Sequence, residues 1–317
     1  MNRTALLAVA AGVFGATLLV AAMSGSVLGV AFGLLLSPLP LAMAVLGLGP
    51  AALPVAVIGG ATTTMVLTGT FVGPLVYVIN DALPVAVLLR QARAAGTPGP
   101  APGAMNIGAA TAWLAVIGVG LMVAVLAAVP AGPDGLEATL RTGIEKLLAE
   151  VIQNQGERPE VMQAAEALKA SAAIMPGAAG WNWCLRAIIS AAIAQAALVR
   201  MGYAAWPSPA YRGFAVPGWF IAVFWATAAT AWVAPGDIGY VATNAAGVLC
   251  LPLLLQGLAV VHSGVGRMEN AGFWLVGFYV LAVLTAGLSF VVLVTLGVVD
   301  HFLKLRQRMA APPQGGV

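Results

Sequence analysis

Two opposite charges stand inside apolar stretches of this sequence. Asp81 lies within the stretch Phe71–Leu89, and Arg186 lies within Pro176–Val199. If these stretches cross lipid, each charge costs about 2.5–3.5 kcal/mol near the bilayer centre on insertion scales. At about 1.5 Å of helical rise per residue, both charges lie roughly 12–15 Å from the same side. Opposite charges at matching depth predict a buried pair.

Amide side chains fall in the same half of the predicted membrane. A carboxylate, a guanidinium and several amides together offer both donors and acceptors to a polar ligand. The candidate ligand-binding residues are Asp81, Arg186, Asn80, Asn182 and Asn244. The alternative is a satisfied ion pair that only fixes helix packing, with asparagines that join neighbouring helices.

Motifs of known catalytic chemistry are missing from the sequence. It contains no Walker A sequence, no His-Glu-x-x-His and no Cys-x-x-Cys. Its two histidines, His262 and His301, lie apart and have no cluster of metal-ligating residues around them. We therefore expect no enzymatic activity, no catalytic residues, no metal and no cofactor.

Small residues recur every fourth position in the first apolar stretch. Ala8, Gly12 and Ala16 share one face of the predicted helix. Such a face lets another helix approach closely. The partner is either a helix of this chain or a separate membrane subunit, so these residues are also candidates for partner docking.

The composition requires lipid as the main solvent. Of 317 residues, 61% are hydrophobic and 8% are charged, whereas soluble domains carry about a quarter charged residues. A net charge of +3 without a basic run argues against nucleic-acid binding. We therefore predict an all-α polytopic transmembrane bundle of about eight or nine spans.

The predicted organisation is one integral-membrane domain over residues 1–317. N-terminal spans occupy residues 1–93, a flexible Gly/Pro-rich linker 94–106 and one span 107–130. Residues 131–176 show apolar positions at helical spacing and predict an amphipathic hairpin, in which Asp134 and Glu137 resemble a capping box. C-terminal spans follow over residues 177–310.

Basic residues predict the orientation. Arg3 precedes the first apolar stretch, and Arg90 and Arg93 follow the fourth, Phe71–Leu89. Because basic residues favour the cytoplasmic side, this places the N-terminus in the cytoplasm and the hairpin outside. A single last span would put Lys304 on the wrong side. A bend near Gly287 in the stretch Phe273–Val299 would return the C-terminus to the cytoplasm.

Several short segments of the sequence form a recognisable series. They are Ser37-Pro38-Leu39-Pro40-Leu41, Gly47-Leu48-Gly49-Pro50, Asn80-Asp81-Ala82-Leu83-Pro84, Trp206-Pro207-Ser208-Pro209, Gly257 to His262, and Leu296-Gly297 with Asp300 and Arg306. These segments, in this order, resemble the YybS-like family of bacterial integral-membrane proteins of unknown function. That family is similar in helical layout to the substrate-capture subunits of energy-coupling-factor vitamin transporters and to the cell-shape protein MreD.

The resemblance implies an inner (plasma) membrane protein of bacteria that captures a small molecule for transport. In the vitamin transporters, small residues of the first helix dock a coupling subunit, and Ala8, Gly12 and Ala16 are the matching positions here. Expected partners are the lipid bilayer, other membrane subunits and a separate ATPase, because this chain has no ATP site. The alternative function is a scaffold or assembly factor in envelope biogenesis that binds no small ligand.

Overall fold

The computed structural model describes residues 2–23, 33–94, 105–155 and 159–310. Within those ranges every regular element is helical, which confirms the all-α prediction. Among the described residues, six helices are long and apolar enough to cross a membrane, and four shorter apolar helices accompany them. The eight or nine predicted spans thus correspond to six long helices and four shorter ones. The six are Arg3–Met23, Val72–Ala94, Ile107–Ala128, Met175–Met201, Gly236–Val265 and Ala286–Leu303.

The first half of the chain contains seven α-helices and one π-helical segment within the described residues. The long span Val72–Ala94 is built from three of these pieces. In chain order they are α1 (Arg3–Met23), α2 (Leu34–Leu36), α3 (Pro38–Leu48), α4 (Ala52–Thr68), α5 (Val72–Tyr77), the π-helical segment Val78–Ala82, α6 (Leu83–Ala94) and α7 (Ile107–Ala128).

The second half begins with the predicted hairpin, whose two helices are joined by a Lys169–Glu145 ion pair of 3.4 Å. The elements are α8 (Gly135–Gln155), α9 (Pro159–Ala170), the 3-10 turn Ser171–Ala173, α10 (Met175–Met201), the 3-10 turn Tyr211–Gly213, α11 (Gly218–Val233), α12 (Gly236–Val265), α13 (Ala271–Leu284), α14 (Ala286–Leu303) and α15 (Leu305–Ala310).

Two apolar stretches are interrupted. The bend predicted near Gly287 lies at Thr285, between α13 and α14 and two residues before Gly287. The apolar stretch Ser26–Leu48 turns at Ser37, directly before Pro38. Residues 26–32 of that stretch and residues 95–104 of the predicted linker lie outside the described ranges.

The chain forms two compact units, each of which collects segments that are distant in sequence. The first unit consists of Met1–Leu114, Trp183–Ala215 and Ala259–Ala271. The second consists of Ala115–Asn182, Val216–Leu258 and Gly272–Val317.

Close packing of α1 on α4 organises the first unit. A Cβ atom at Gly12 would overlap the carbonyl group of Ala56. Ala8 belongs to the same buried core as Ala56, and Ala16 packs in a buried cluster with Leu19 and Tyr77. The docking hypothesis for Ala8, Gly12 and Ala16 is therefore corrected, because helices of the chain itself occupy this face.

Two glycines likewise bring α12 and α14 together in the second unit. A Cβ at Gly257 would overlap the carbonyl of Leu293, and one at Gly297 would overlap the carbonyl of Leu253. This contact fixes the C-terminal end of α14 beside Gln256 of α12, whose amide donates to Asp300 over 2.9 Å.

Side chains near the start of α12 hold both ends of the hairpin. The main-chain N–H of Leu136 donates to Oδ1 of Asp237 over 2.7 Å. The Tyr240 hydroxyl donates to the carbonyl of Ala172 over 3.1 Å. The predicted capping box of Asp134 and Glu137 is thus replaced by a carboxylate 101 residues further along the chain.

We expect Gly12→Ala to destabilise the protein by about 1–3 kcal/mol, because the added methyl group overpacks the α1–α4 contact. Gly120→Ala in α7 is the matched control, since a Cβ there meets no atom within 4 Å. Thermal unfolding of both purified variants checks this. Equal stability of the two would show that α1 does not pack as described.

Candidate functional site

The helix that carries Asp81 is irregular at that residue. The π-helical segment Val78–Ala82 interrupts it, and Asp81 is buried within the segment. Pro84 lies two residues after the segment, and it has no N–H to offer the carbonyl group four residues earlier, that of Asn80. A wider turn accommodates the proline ring but leaves carbonyl groups without a main-chain donor.

Side chains of α10 meet these carbonyl groups. The Trp183 indole N–H donates to the carbonyl of Ile79 over 3.0 Å. The Arg186 guanidinium donates from Nη2 to the Asn80 carbonyl over 2.7 Å and to Asn80 Oδ1 over 3.1 Å. Trp183 and Arg186 are three residues apart and therefore project from one face of α10.

The same face of α10 reaches the second irregular segment. Ser190, four residues after Arg186, donates its hydroxyl to the carbonyl of Leu35 in α2 over 3.1 Å. The chain turns at Ser37, between α2 and α3. Ser37 is fully buried and donates its own hydroxyl to Oδ1 of Asp81 over 2.8 Å. The two irregular segments therefore meet at the Asp81 carboxyl group.

The predicted pairing of Asp81 with Arg186 is present but long. Nη2 of Arg186 lies 3.7 Å from Oδ1 of Asp81, beyond hydrogen-bond distance, and both side chains are buried. Among the described residues, nothing donates a hydrogen bond to Oδ2 of Asp81. The hydroxyl of Tyr77, one turn earlier on the same helix and also fully buried, has no hydrogen-bond partner among them either.

A second buried carboxylate, Asp300, shows what a satisfied ion pair looks like in this protein. Nη2 and Nε of Arg306 donate to Oδ2 of Asp300 over 2.7 and 3.0 Å. The same oxygen accepts from Gln256, and Oδ1 accepts from the Arg306 main chain over 3.2 Å. From described residues, Asp300 thus accepts four hydrogen bonds and Asp81 accepts one. This contrast marks Asp81 as a carboxyl group with unused binding capacity.

The structure brings together three of the five predicted ligand-binding residues. Asp81, Arg186 and Asn80 lie in one cluster. There the Asn80 side chain accepts a hydrogen bond from Arg186 and donates one to the carbonyl of Val76. Asn182 has an exposed side chain on α10. Asn244 belongs to the second unit, where it accepts from the N–H of Gly177 over 2.8 Å and donates to the carbonyl of Ala173 over 3.0 Å.

Ser37, Tyr77, Trp183 and Ser190 join the site without having been predicted. The sequence signal for them is Pro84, together with Pro38 after Ser37. A proline inside an apolar stretch leaves a carbonyl that a neighbouring helix must satisfy in lipid. Donors spaced three or four residues apart around Arg186 were therefore the side chains to look for.

We expect Asp300→Asn to lower the unfolding free energy by about 3–5 kcal/mol, because it breaks a buried pair. Asp81→Asn should lower it by only about 1.5–3 kcal/mol, because one hydrogen bond to a charged group is affected. Chemical denaturation of the two purified variants checks the order. An equal loss would mean that Asp81 and Arg186 form a purely structural ion pair.

Comparison with known proteins finds one family. The family model described as "Predicted membrane protein (DUF2232)" matches residues 13–301. No curated protein and no solved structure gives a significant match. The match covers most of the chain, includes the whole Asp81 site and is consistent with the YybS-like resemblance. The chain therefore belongs to this family of predicted membrane proteins.

Proposed function

We propose that this membrane protein binds a small polar molecule at the Asp81 site as a component of a transport system. The single observation that supports this most is a fully buried carboxyl group with an unpartnered oxygen at the meeting point of two irregular helix segments. Buried ionisable groups within membrane segments commonly mark substrate and ion pathways.

The helix geometry supports the same proposal. Membrane transporters commonly bind their substrates where helices are discontinuous, because main-chain groups there are open to a ligand. Here the segments around Ser37 and Val78–Ala82 are discontinuous, and Arg186 holds the second one in place. The ligand would then contact Oδ2 of Asp81 through a hydrogen-bond donor, because an ionised carboxylate only accepts.

The chemistry requires nothing beyond binding and release, so the proposal includes no enzymatic step. The coupling to energy would come from a separate ATPase or another membrane subunit, as in the vitamin transporters that the sequence resembles. We place the protein in the bacterial inner membrane with its N-terminus in the cytoplasm, on the strength of Arg3, Arg90 and Arg93.

We expect a small molecule to co-purify with the wild-type protein in a near-stoichiometric amount and to be reduced at least about tenfold in Asp81→Asn, which corresponds to about 1.4 kcal/mol. Mass spectrometry of the molecules released on denaturation measures this. Asp300→Asn is the matched control, because it changes a buried carboxylate that already has all its partners. Equal amounts from all three proteins would refute binding at Asp81.

A second candidate function, a scaffold in envelope biogenesis, is favoured by the attachment of the hairpin. Asp237, Tyr240 and Asn244 of α12 fix its first turn and its last turn at the same time. A pair of helices held at both ends presents a defined surface, as expected of an element that other proteins bind.

We expect Asn244→Ala to loosen the hairpin, because the N–H of Gly177 and the carbonyl of Ala173 each lose a partner worth about 1–3 kcal/mol if buried. Proteolysis of α8 and α9 should then be about tenfold faster. Asn182→Ala, with an exposed side chain, should leave it unchanged. If Asn244→Ala binds the co-purifying molecule normally but loses cross-links to envelope proteins, the scaffold function is favoured.

A further inference from the structure

A buried carboxylate that stays ionised in a membrane needs several donors. It carries two oxygens with about four acceptor positions, and leaving them empty in a medium of low dielectric is costly. Asp300 meets this requirement with four hydrogen bonds. Asp81 has the Ser37 hydroxyl at 2.8 Å and the guanidinium of Arg186 at 3.7 Å. The surroundings of Asp81 suit a group that is ionised only part of the time.

We propose that the Asp81 carboxyl group is a proton-binding site, with Arg186 as the counter-ion of its deprotonated form. The inference deepens the proposed function and rests on it for its purpose, since it names the ion that exchanges with the ligand at the same carboxyl group. The step is an exchange in which the carboxylate and hydronium give the carboxylic acid and water.

Few other ionisable groups face this carboxyl. Tyr77 precedes it on the same helix, and Arg186 faces it from α10. Cys184 of α10 is occupied with the carbonyl of Leu114 at 3.5 Å. The neighbouring helices α2, α3 and α4 contain no ionisable side chain, and α1 has only Arg3 at its first residue. Proton binding at Asp81 therefore changes the charge of a site whose remaining charged group is Arg186.

The charge of the site and its few oxygen ligands favour a proton over a metal cation. A metal cation would need several oxygen ligands at short distance and would be repelled by Arg186. The hydrogen bonds of Arg186 to Asn80 do not involve the carboxyl, so they persist in either protonation state.

Infrared difference spectroscopy of the protein in lipid films tests the inference and needs no added ligand. On acidification, the wild-type protein and Asp300→Asn should both gain one carboxylic-acid carbonyl band that is missing from Asp81→Asn, in addition to the bands of the exposed carboxyl groups that all three proteins share. In Ser37→Ala, which keeps the carboxyl but removes its hydrogen-bond donor, the band should move to higher frequency.

The result that overturns the inference is a spectrum in which no pH-dependent carboxylic acid band depends on residue 81. An Asp81 carboxylate that stays ionised would give that spectrum, whether a water molecule binds Oδ2 or Arg186 alone compensates the charge. Since the measurement uses only the purified protein and buffer, it can fail while a co-purifying molecule is still found. The reverse outcome, a titrating Asp81 with no bound molecule, would support the proton site and refute the binding of a small molecule.

Discussion

The absence of hydrogen-bonding partners in lipid is the constraint on which the rest of the first unit depends. A carbonyl group that leaves the helical pattern must find a donor within the protein. Trp183, Arg186 and Ser190 supply three such donors from a single face of α10. Because these donors satisfy the carbonyl groups, two neighbouring segments can be irregular inside the membrane. A regular helix would use the same carbonyl groups in its own hydrogen bonds.

The two buried aspartates show how little residue type says about role. Asp81 and Asp300 are both buried and both near an arginine. The difference lies in the hydrogen-bond donors. Asp300 accepts from a glutamine, from an arginine side chain and from a main-chain N–H group, whereas Asp81 accepts from a serine and lies farther from its arginine. Asp300 stabilises the end of α14, whereas Asp81 has an oxygen that no described residue occupies.

The depth of a residue along its helix was predictable from the sequence. The side of the helix from which its side chain projects was not. Counting residues placed Asp81 and Arg186 at one level, and the structure pairs them at 3.7 Å. The same counting put Asn244 in the same half of the membrane, but its side chain contacts Gly177 and the end of the hairpin. Apolar length alone cannot give this angle, because membrane helices are apolar on most sides.

The fold shows the same division between what is local and what is distant. The breaks at Ser37 and Thr285 follow from proline and glycine in the sequence, and the hairpin from its spacing of apolar residues. The cap of α8 comes from Asp237 and could not be found locally. The borders of the two units fall inside apolar helices, such as between Leu114 and Ala115, where composition does not change.

The π-helical segment has a consequence for how this family can diverge. A π-helical turn holds one residue more than an α-helical turn, so Val78–Ala82 is equivalent to a one-residue insertion in a regular helix. Loss of a single codon there would leave a regular α-helix, without the wide turn in which Asp81 now lies. Hydropathy would hardly change, yet Asp81 would no longer face Ser37. A relative could therefore keep every apolar span and lack the site, and a gap at this position in an alignment would reveal it.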